Sequence, residues 1–222
     1  CWGYNAQGQL GVNDTTNRLN AAAVLNLPYI FPATQVEFFT QPSNTTAGAA
    51  ISPAIQARLL DAKGSWVTNA TNSLTLSLDT NTGGSNLGGT LVKSAIGGIA
   101  TFNDITLDKI GAGYKLGAFG NNLVNAVSSI FTINPAAALK LGWALGSQDI
   151  MTGKCLGYRI NTLDQYNSIA PVAADTVVTT SGATSFYNDS SCSVATNSFT
   201  ILSGSNKAEI YFKADSAQAR EH

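Results

Sequence analysis

The chain has 222 residues, a formal net charge of −1 and only 11% charged residues against 44% hydrophobic ones. That balance provides enough apolar side chains for packed cores and leaves no basic footprint for nucleic acid or an anionic membrane surface. No apolar run approaches the roughly 18 residues of a membrane span; the longest, from Leu25 to Phe39, is broken by Pro28 and Pro32. Neither an initiating Met nor a signal sequence is present, which reads as a processed chain or an excised piece.

One gap-free offset organises most of the chain. At a shift of 103 residues, Ala33 to Phe38 lies over Ala136 to Leu141, and Arg58 to Ser65 lies over Asn161 to Ser168. A repeat of roughly 100 residues is too long for a solenoid unit and is the size of one β-sandwich. The chain therefore divides into residues 1–32, a first copy over 33–135 and a second over 136–222.

In residues 1–32, Cys1-Trp2-Gly3-Tyr4-Asn5-Ala6-Gln7-Gly8-Gln9-Leu10-Gly11, continued by Asn13 to Arg18, resembles one repeat of the regulator-of-chromosome-condensation β-propeller family. In such a repeat the glycines permit tight turns. A propeller needs several blades, so the segment reads as the tail of an upstream propeller or a remnant, with Pro28 and Pro32 marking a linker.

From Ala33 the text alternates strand and turn. Gln35 to Phe39 opens it, Pro42 to Gly48 breaks it, and Ala54 to Leu60 alternates at period two before Asp61-Ala62-Lys63-Gly64 turns the chain. Leu74-Thr75-Leu76-Ser77-Leu78 predicts a half-buried strand with Leu on one face. A glycine-rich stretch, Gly83 to Gly89, reads as a flexible loop, since it lacks the helix and the Lys-Ser/Thr step of a phosphate cradle. Thr90 to Val92, Ile99 to Phe102, Tyr114 to Ala118 and Ala126 to Ile133 complete seven strands. No stretch carries a helical period.

Thr40-Gln41-Pro42, Ala47-Gly48, Leu60 to Gly64, Gly98 to Phe102 and Ala112-Gly113-Tyr114 together resemble the bacterial Ig-like domains of the invasin and intimin type. The resemblance implies extracellular stalk or adhesive modules at the bacterial cell surface, without catalytic residues. It makes the fold class all-β, with tandem Ig-like sandwiches. The partners it implies are other domains of the same surface protein and a protein or glycan ligand on another cell.

The second copy keeps the pattern through Asp175 to Ser181, Phe186 to Asp189 and Ala208 to Lys213, with Trp143 expected in its core. It then stops early: 33 residues follow Phe102 in the first copy, but only 11 follow the corresponding Tyr211. Strands equivalent to Tyr114 to Ala118 and Ala126 to Ile133 of the first copy have no counterpart in it. Either the sequence ends inside a domain, or a neighbouring protomer supplies the missing strands by strand addition, residues 20–32 being a possible donor.

Of the three cysteines, Cys155 and Cys192 fall in the second copy, where a bridge would close a loop of about 36 residues. The alternative is two reduced buried thiols. The first copy has Ser52 in place of Cys155, so a bridge is an addition to the sandwich and not its foundation. A disulfide would imply export. Cys1 is left over, and a lipid anchor there is a further reading.

The only histidine is His222, which removes Ser-His-Asp and Cys-His arrangements and any His-based zinc site. The acids Asp61, Asp79, Asp104, Asp108, Asp164 and Asp189 fall where turns or strand ends are expected, and turn chemistry accounts for most of them. Asp61 and Asp164 occupy matching positions, and with Asp104 and Asp108 they raise a calcium site as the rival to matching turns in which Gly or Asn takes positive φ. The expected function is structural or adhesive, without enzyme activity, cofactor or metal. Trp66, Tyr166, Phe186 and Tyr187, at predicted loop ends, are the candidate ligand contacts, either on sugar faces as in a carbohydrate-binding module or on a protein.

Overall fold

Asp61 and Asp164 begin two turns that are copies of one another at atomic detail. In the first, the amides of Lys63 and Ser65 donate to Asp61 Oδ1 at 2.8 and 2.9 Å. In the second, those of Tyr166 and Ser168 donate to Asp164 Oδ1 at 2.9 Å each. Gly64 and Asn167 take φ of +80° and +66° at matching places, as the turn chemistry requires. The 103-residue offset is thus a structural repeat here. The structure, a computed structural model, describes residues 5–7, 10, 14–17, 32–144, 153–180 and 186–213.

Every element among these residues is a β-strand. In the first copy β1 (Gln35–Thr40), β3 (Ile55–Leu60) and β7 (Ile99–Phe102) form one sheet in the order β1-β3-β7. The facing sheet runs β2-β11-β9-β4-β6, from β2 (Thr45–Thr46), β4 (Ser73–Thr80), β6 (Val92–Ser94), β9 (Gly111–Gly120) and β11 (Phe131–Asn134). Alternation explains the layering: Ile55, Ala57 and Leu59 on β3 and Tyr114, Leu116 and Ala118 on β9 are all fully buried, each set on one face of its strand. They meet Leu74, Leu76, Phe102, Phe131 and Ile133 in one core, where each large side chain contributes about 1.5–3 kcal/mol.

The expected strand over Ala126 to Ile133 is two strands, β10 (Ala126–Val127) and β11, with a break between them. Ser128 explains the break: its amide donates to Leu116 O at 2.8 Å and its hydroxyl accepts from Leu116 N at 2.9 Å, so one buried residue occupies both groups of Leu116. The glycine-rich stretch is a tight crossing, contrary to the flexible loop expected. It carries β5 (Leu87–Gly88), which pairs with β8 (Thr106–Leu107). A Cβ on Gly83 would lie 2.1 Å from Tyr114 Oη and 2.3 Å from Ile110 O, so close backbone approach demands glycine.

In the second copy β12 (Lys140–Trp143), β13 (Cys155–Leu163), β18 (Lys207–Lys213), β15 (Phe186–Tyr187) and β16 (Ala195–Thr196) form one sheet in that order. β14 (Thr176–Thr179) and β17 (Ser198–Ile201) form a separate two-stranded sheet. By position, β12, β13 and β18 repeat β1, β3 and β7, while β14 and β17 repeat β4 and β6. Among the described residues nothing repeats β9 or β11.

Two registers differ from the sequence alignment. Gln35 faces Leu60, but the residue facing Leu163 is Lys140, which lies 105 residues after Gln35 and not 103. The extra two residues let Ala136 reach the Asp164 turn before β12 begins. Likewise Ile210, not Tyr211, faces Tyr158 as Phe102 faces Ile55. The shift puts Trp143 in the place of Phe38, yet Trp143 is 61% exposed where Phe38 is 6% exposed. The expected core position is therefore open among the described residues, where the facing sheet that covers Phe38 has no full counterpart.

The N-terminal motif Cys1 to Gly11 lies largely outside the described residues. The parts described form a local hydrogen-bonded knot: Asn5 is fully buried, its Nδ2 donates to Asp14 O at 2.6 Å, and its Oδ1 accepts from Leu10 N at 2.7 Å. The donor stretch expected over residues 20–32 also lies outside the described residues, apart from Pro32.

Candidate functional site

The joint between the copies is built from the second turn. Asp164 is fully buried; while Oδ1 holds the turn, Oδ2 accepts from Ala136 N at 3.1 Å. One carboxylate therefore ties the linker to the turn. The turn in its place presents Tyr166, whose ring packs against the first core. Its hydroxyl sits against Gly48, where an added Cβ would lie 1.9 Å from Oη and where φ is +77°.

Gly48 is held from the first copy, its amide donating to Leu107 O at 2.7 Å. A Gly48→Ala substitution is expected to expel the Tyr166 ring and to strain the backbone by about 1–2 kcal/mol. Scattering should show a broader distribution of intramolecular distances in this variant than in the parent chain. An unchanged distribution would mean that the ring is not what sets the joint.

The four aromatic candidates are not gathered at one place. Trp66, 48% exposed, bridges to Leu60 on the turn at the opposite end of the first sandwich, with its indole over Gly98. Tyr166 is at the joint. Phe186 and Tyr187 lie on β15, where their side chains take opposite faces of the sheet.

Phe186 belongs to an aromatic group that the sequence did not single out. Its ring centroid is 4.4 Å from that of Phe212, which is 5.0 Å from Tyr158; Trp143 lies 6.0 Å from Tyr158 and 6.3 Å from Phe212. Trp143 faces Ile160, and Tyr158 faces Ile210. The group thus continues the face that carries the buried Ile160 and Ile210. The signal available in the sequence was an aromatic residue at core-parity positions of three predicted strands.

Cys155 and Cys192 form a disulfide, with Cα atoms 5.7 Å apart. It fastens the start of β13 to the turn between β15 and β16. That turn is also organised by Asp189, whose carboxylate accepts from the Ser191 hydroxyl and from the amides of Ser191, Ser193 and Val194. The Ser191 hydroxyl first, then the Ser193 and Val194 amides, hold the Asp189 carboxyl well below the ordinary carboxylate range.

Because this pKa is lower folded than unfolded, the carboxylate's contribution is complete above the unfolded value of about 4 and is lost as pH falls through the lower folded value. The Ser193 and Val194 amide shifts should therefore titrate together, with a midpoint well below pH 4, and should be flat over that range in Asp189→Asn. A midpoint at about 4 or above would contradict the geometry.

Asp104 and Asp108, raised as calcium ligands, are engaged in the crossing loops. Asp108 accepts from Ser85 Oγ at 2.8 Å and from Asn86 N at 2.7 Å; Asp104 Oδ2 accepts from Thr90 N and Oγ1 at 3.0 and 2.6 Å. No group of three or more metal-ligating side chains occurs among the described residues. No helix among them is long and apolar enough to cross a membrane.

No known family profile matches the sequence, and no curated protein matches it. Solved structures with similarity include FdeC, an Escherichia coli adhesin, at 15% identity over 82% of this chain and 57% of that one, with a TM-score of 0.39. The Yersinia pseudotuberculosis adhesin InvE is similar at 12% identity over 81% of this chain and 51% of its own, with a TM-score of 0.33. Domains 4–9 of the surface layer protein SbsC align at 7% identity over 85% of this chain and 28% of theirs, with a TM-score of 0.33. The chain thus spans between 28% and 57% of the length of these three structures.

Proposed function

We infer that the chain is a non-enzymatic structural or adhesive module of an exported bacterial surface protein, in which two Ig-like units joined at a fixed angle hold their neighbours at a set distance. The observation that carries this reading is the joint: a buried carboxylate fixing the linker, and a tyrosine seated on a glycine of the preceding unit. A linker meant only to tether would need neither. The Cys155–Cys192 bridge supports an oxidising compartment.

The chain also enters and leaves the first unit at opposite ends. Gln35 bridges to Val124, beside the Gly120 end of β9, whereas Ile133 pairs with Gly111 at the other end. Each such unit therefore adds its full length to the array.

Residual dipolar couplings on the whole chain test the reading. A single alignment tensor for the two copies is expected in the parent, and two distinct tensors in Tyr166→Ala. Two tensors in the parent would remove the spacer reading. Soluble glycans that bind with loss of the Trp66 or Tyr166 signal would move the reading to carbohydrate recognition.

A further inference from the structure

The outer face of the β1-β3-β7 sheet lies wholly within the first unit, and its rows follow from the pairing registers. Val36, Phe38, Ala57 and Leu59 point into the core, so their neighbours along the strands point out. In one row Val124, Gln35, Leu60 and Trp66 stand side by side: Gln35 bridges to Val124 and faces Leu60, and Leu60 bridges to Trp66 on its other flank. In the next row Glu37 faces Arg58, and Arg58 faces Ile99.

The two sheets of this unit present different surfaces to solvent. On the sheet that carries β4 and β9 the outward residues include Thr75, Ser77, Lys115 and Gly117, with Phe119 lying over Gly117. The β1-β3-β7 face instead leaves Val124 68%, Phe39 53% and Trp66 48% exposed. Phe39 is the extra residue of a bulge, since Phe38 faces Ala57 and Thr40 faces Gln56, so no β3 residue stands opposite it. The Arg58 guanidinium lies over its ring at 5.0 Å from the centroid, and Arg58 Nε donates to Glu37 Oε2 at 2.6 Å.

Charge and apolar surface are disposed symmetrically on this face. Neighbouring strands lie about 4.8 Å apart, so a line midway between β1 and β3, parallel to both, has Glu37 and Arg58 at equal distances on its two sides. Val124 and Trp66 lie at equal, larger distances from the same line. A two-fold axis on that line sets Glu37 against Arg58 of another copy, and Trp66 against Val124, each contact occurring twice. The outward strand positions of the face hold one acid and one base and no other charge, so no like charges meet.

We propose that two copies of this chain pair through the outer β1-β3-β7 faces of their first units, about this axis and running in the same direction. Four strand positions by the length from Gln35 to Phe39 cover on the order of 300 Å² on each copy, against about 800 Å² per partner in a standard stable complex. The pairing of two isolated chains is therefore weak, with a dissociation constant of about 0.1–1 mM, and strengthens where several such units are presented together. It makes no use of the joint, so the spacer reading and the pairing fail independently.

Sedimentation equilibrium of the whole chain at concentrations up to about 1 mM tests the proposal. The average mass should rise toward that of a dimer. Glu37→Arg and Arg58→Glu should each keep the fold by circular dichroism, because an exposed ion pair contributes little to stability, and each should weaken self-association about tenfold. An equimolar mixture of these two variants should associate as the parent does, since each then offers the charge that the other lacks. Val124→Ser, which removes a side chain exposed in the single copy, should weaken association about threefold.

Three results would overturn the proposal: a monomer at every concentration, which would leave the face to a different partner; association unchanged by all three substitutions, which would place the contact elsewhere; or a mixture of the two charge variants that associates no better than either alone.

Discussion

Replacing Asp164 by alanine is expected to lower the stability of the second unit by about 3 kcal/mol and to release the joint at the same time. The carboxylate is fully buried and accepts three amides, those of Ala136, Tyr166 and Ser168. Each buried amide left without a partner costs about 1–3 kcal/mol, and the lower end applies where water can reach the opened turn. The first unit provides the comparison. Asp61 is 4% exposed and among the described residues accepts from two amides, those of Lys63 and Ser65, so Asp61→Ala should cost about 2 kcal/mol and leave the joint rigid. Urea unfolding with Trp143 reporting on one unit and Trp66 on the other separates the two effects. Equal losses, or a joint that loosens only in Asp61→Ala, would contradict the assignment of Asp164 as the shared tie.

Reduction of the Cys155–Cys192 bridge should destabilise the second unit by up to about 3–4 kcal/mol, the value expected from the entropy of a loop of this length, and should leave the first unit untouched. The bridge spans 37 residues of sequence, including all of β14 and β15, so its loss frees the segment least supported by packing. Among the described residues of the second unit the buried apolar side chains are few, Ile160, Ala170, Val172, Ile201 and Ile210 among them, whereas the first unit has one continuous core. Calorimetry with and without reductant should therefore move one of two transitions. Movement of both would mean that the units unfold as one body. Movement of neither would assign the bridge no part in stability.

The sequence is most legible where local chemistry and side-chain parity act together. Asp61 to Ser65 and Asp164 to Ser168 can be matched because a turn depends on a few side-chain-to-backbone bonds that survive the exchange of every apolar neighbour. β3 and β4 are readable because Leu and Ile alternate with polar residues on strands buried on one face. Alignment misregisters the opening strand of the second copy because Ala136-Ala137-Ala138 resembles strand text but serves as linker, a distinction that depends on the distant Asp164. Trp143 falls at a core position for the same kind of reason: its parity is right, but parity does not say whether an opposite sheet is present. The glycines of the β5 crossing look like slack because the groups that crowd them, Tyr114 Oη and Ile110 O at Gly83, Thr106 at Gly88 and Asp104 O at Gly89, lie far along the chain. Of the candidate contacts, Phe186 alone points to the aromatic face, because its companions are distributed over β12, β13 and β18.

The placement of the first unit's outer strands has a mechanical consequence. β2 and β11 lie parallel, Ile133 beside Thr45 and Asn134 beside Thr46, and Ala47 N donates to Asn134 O at 2.8 Å, directly before the chain leaves for the second unit. A pull applied through that exit runs along these strands and across their hydrogen bonds, so the bonds must shear together and cannot peel one at a time. Tension transmitted through the array would meet its first resistance there, in a patch stiffened by the same segment that seats Tyr166.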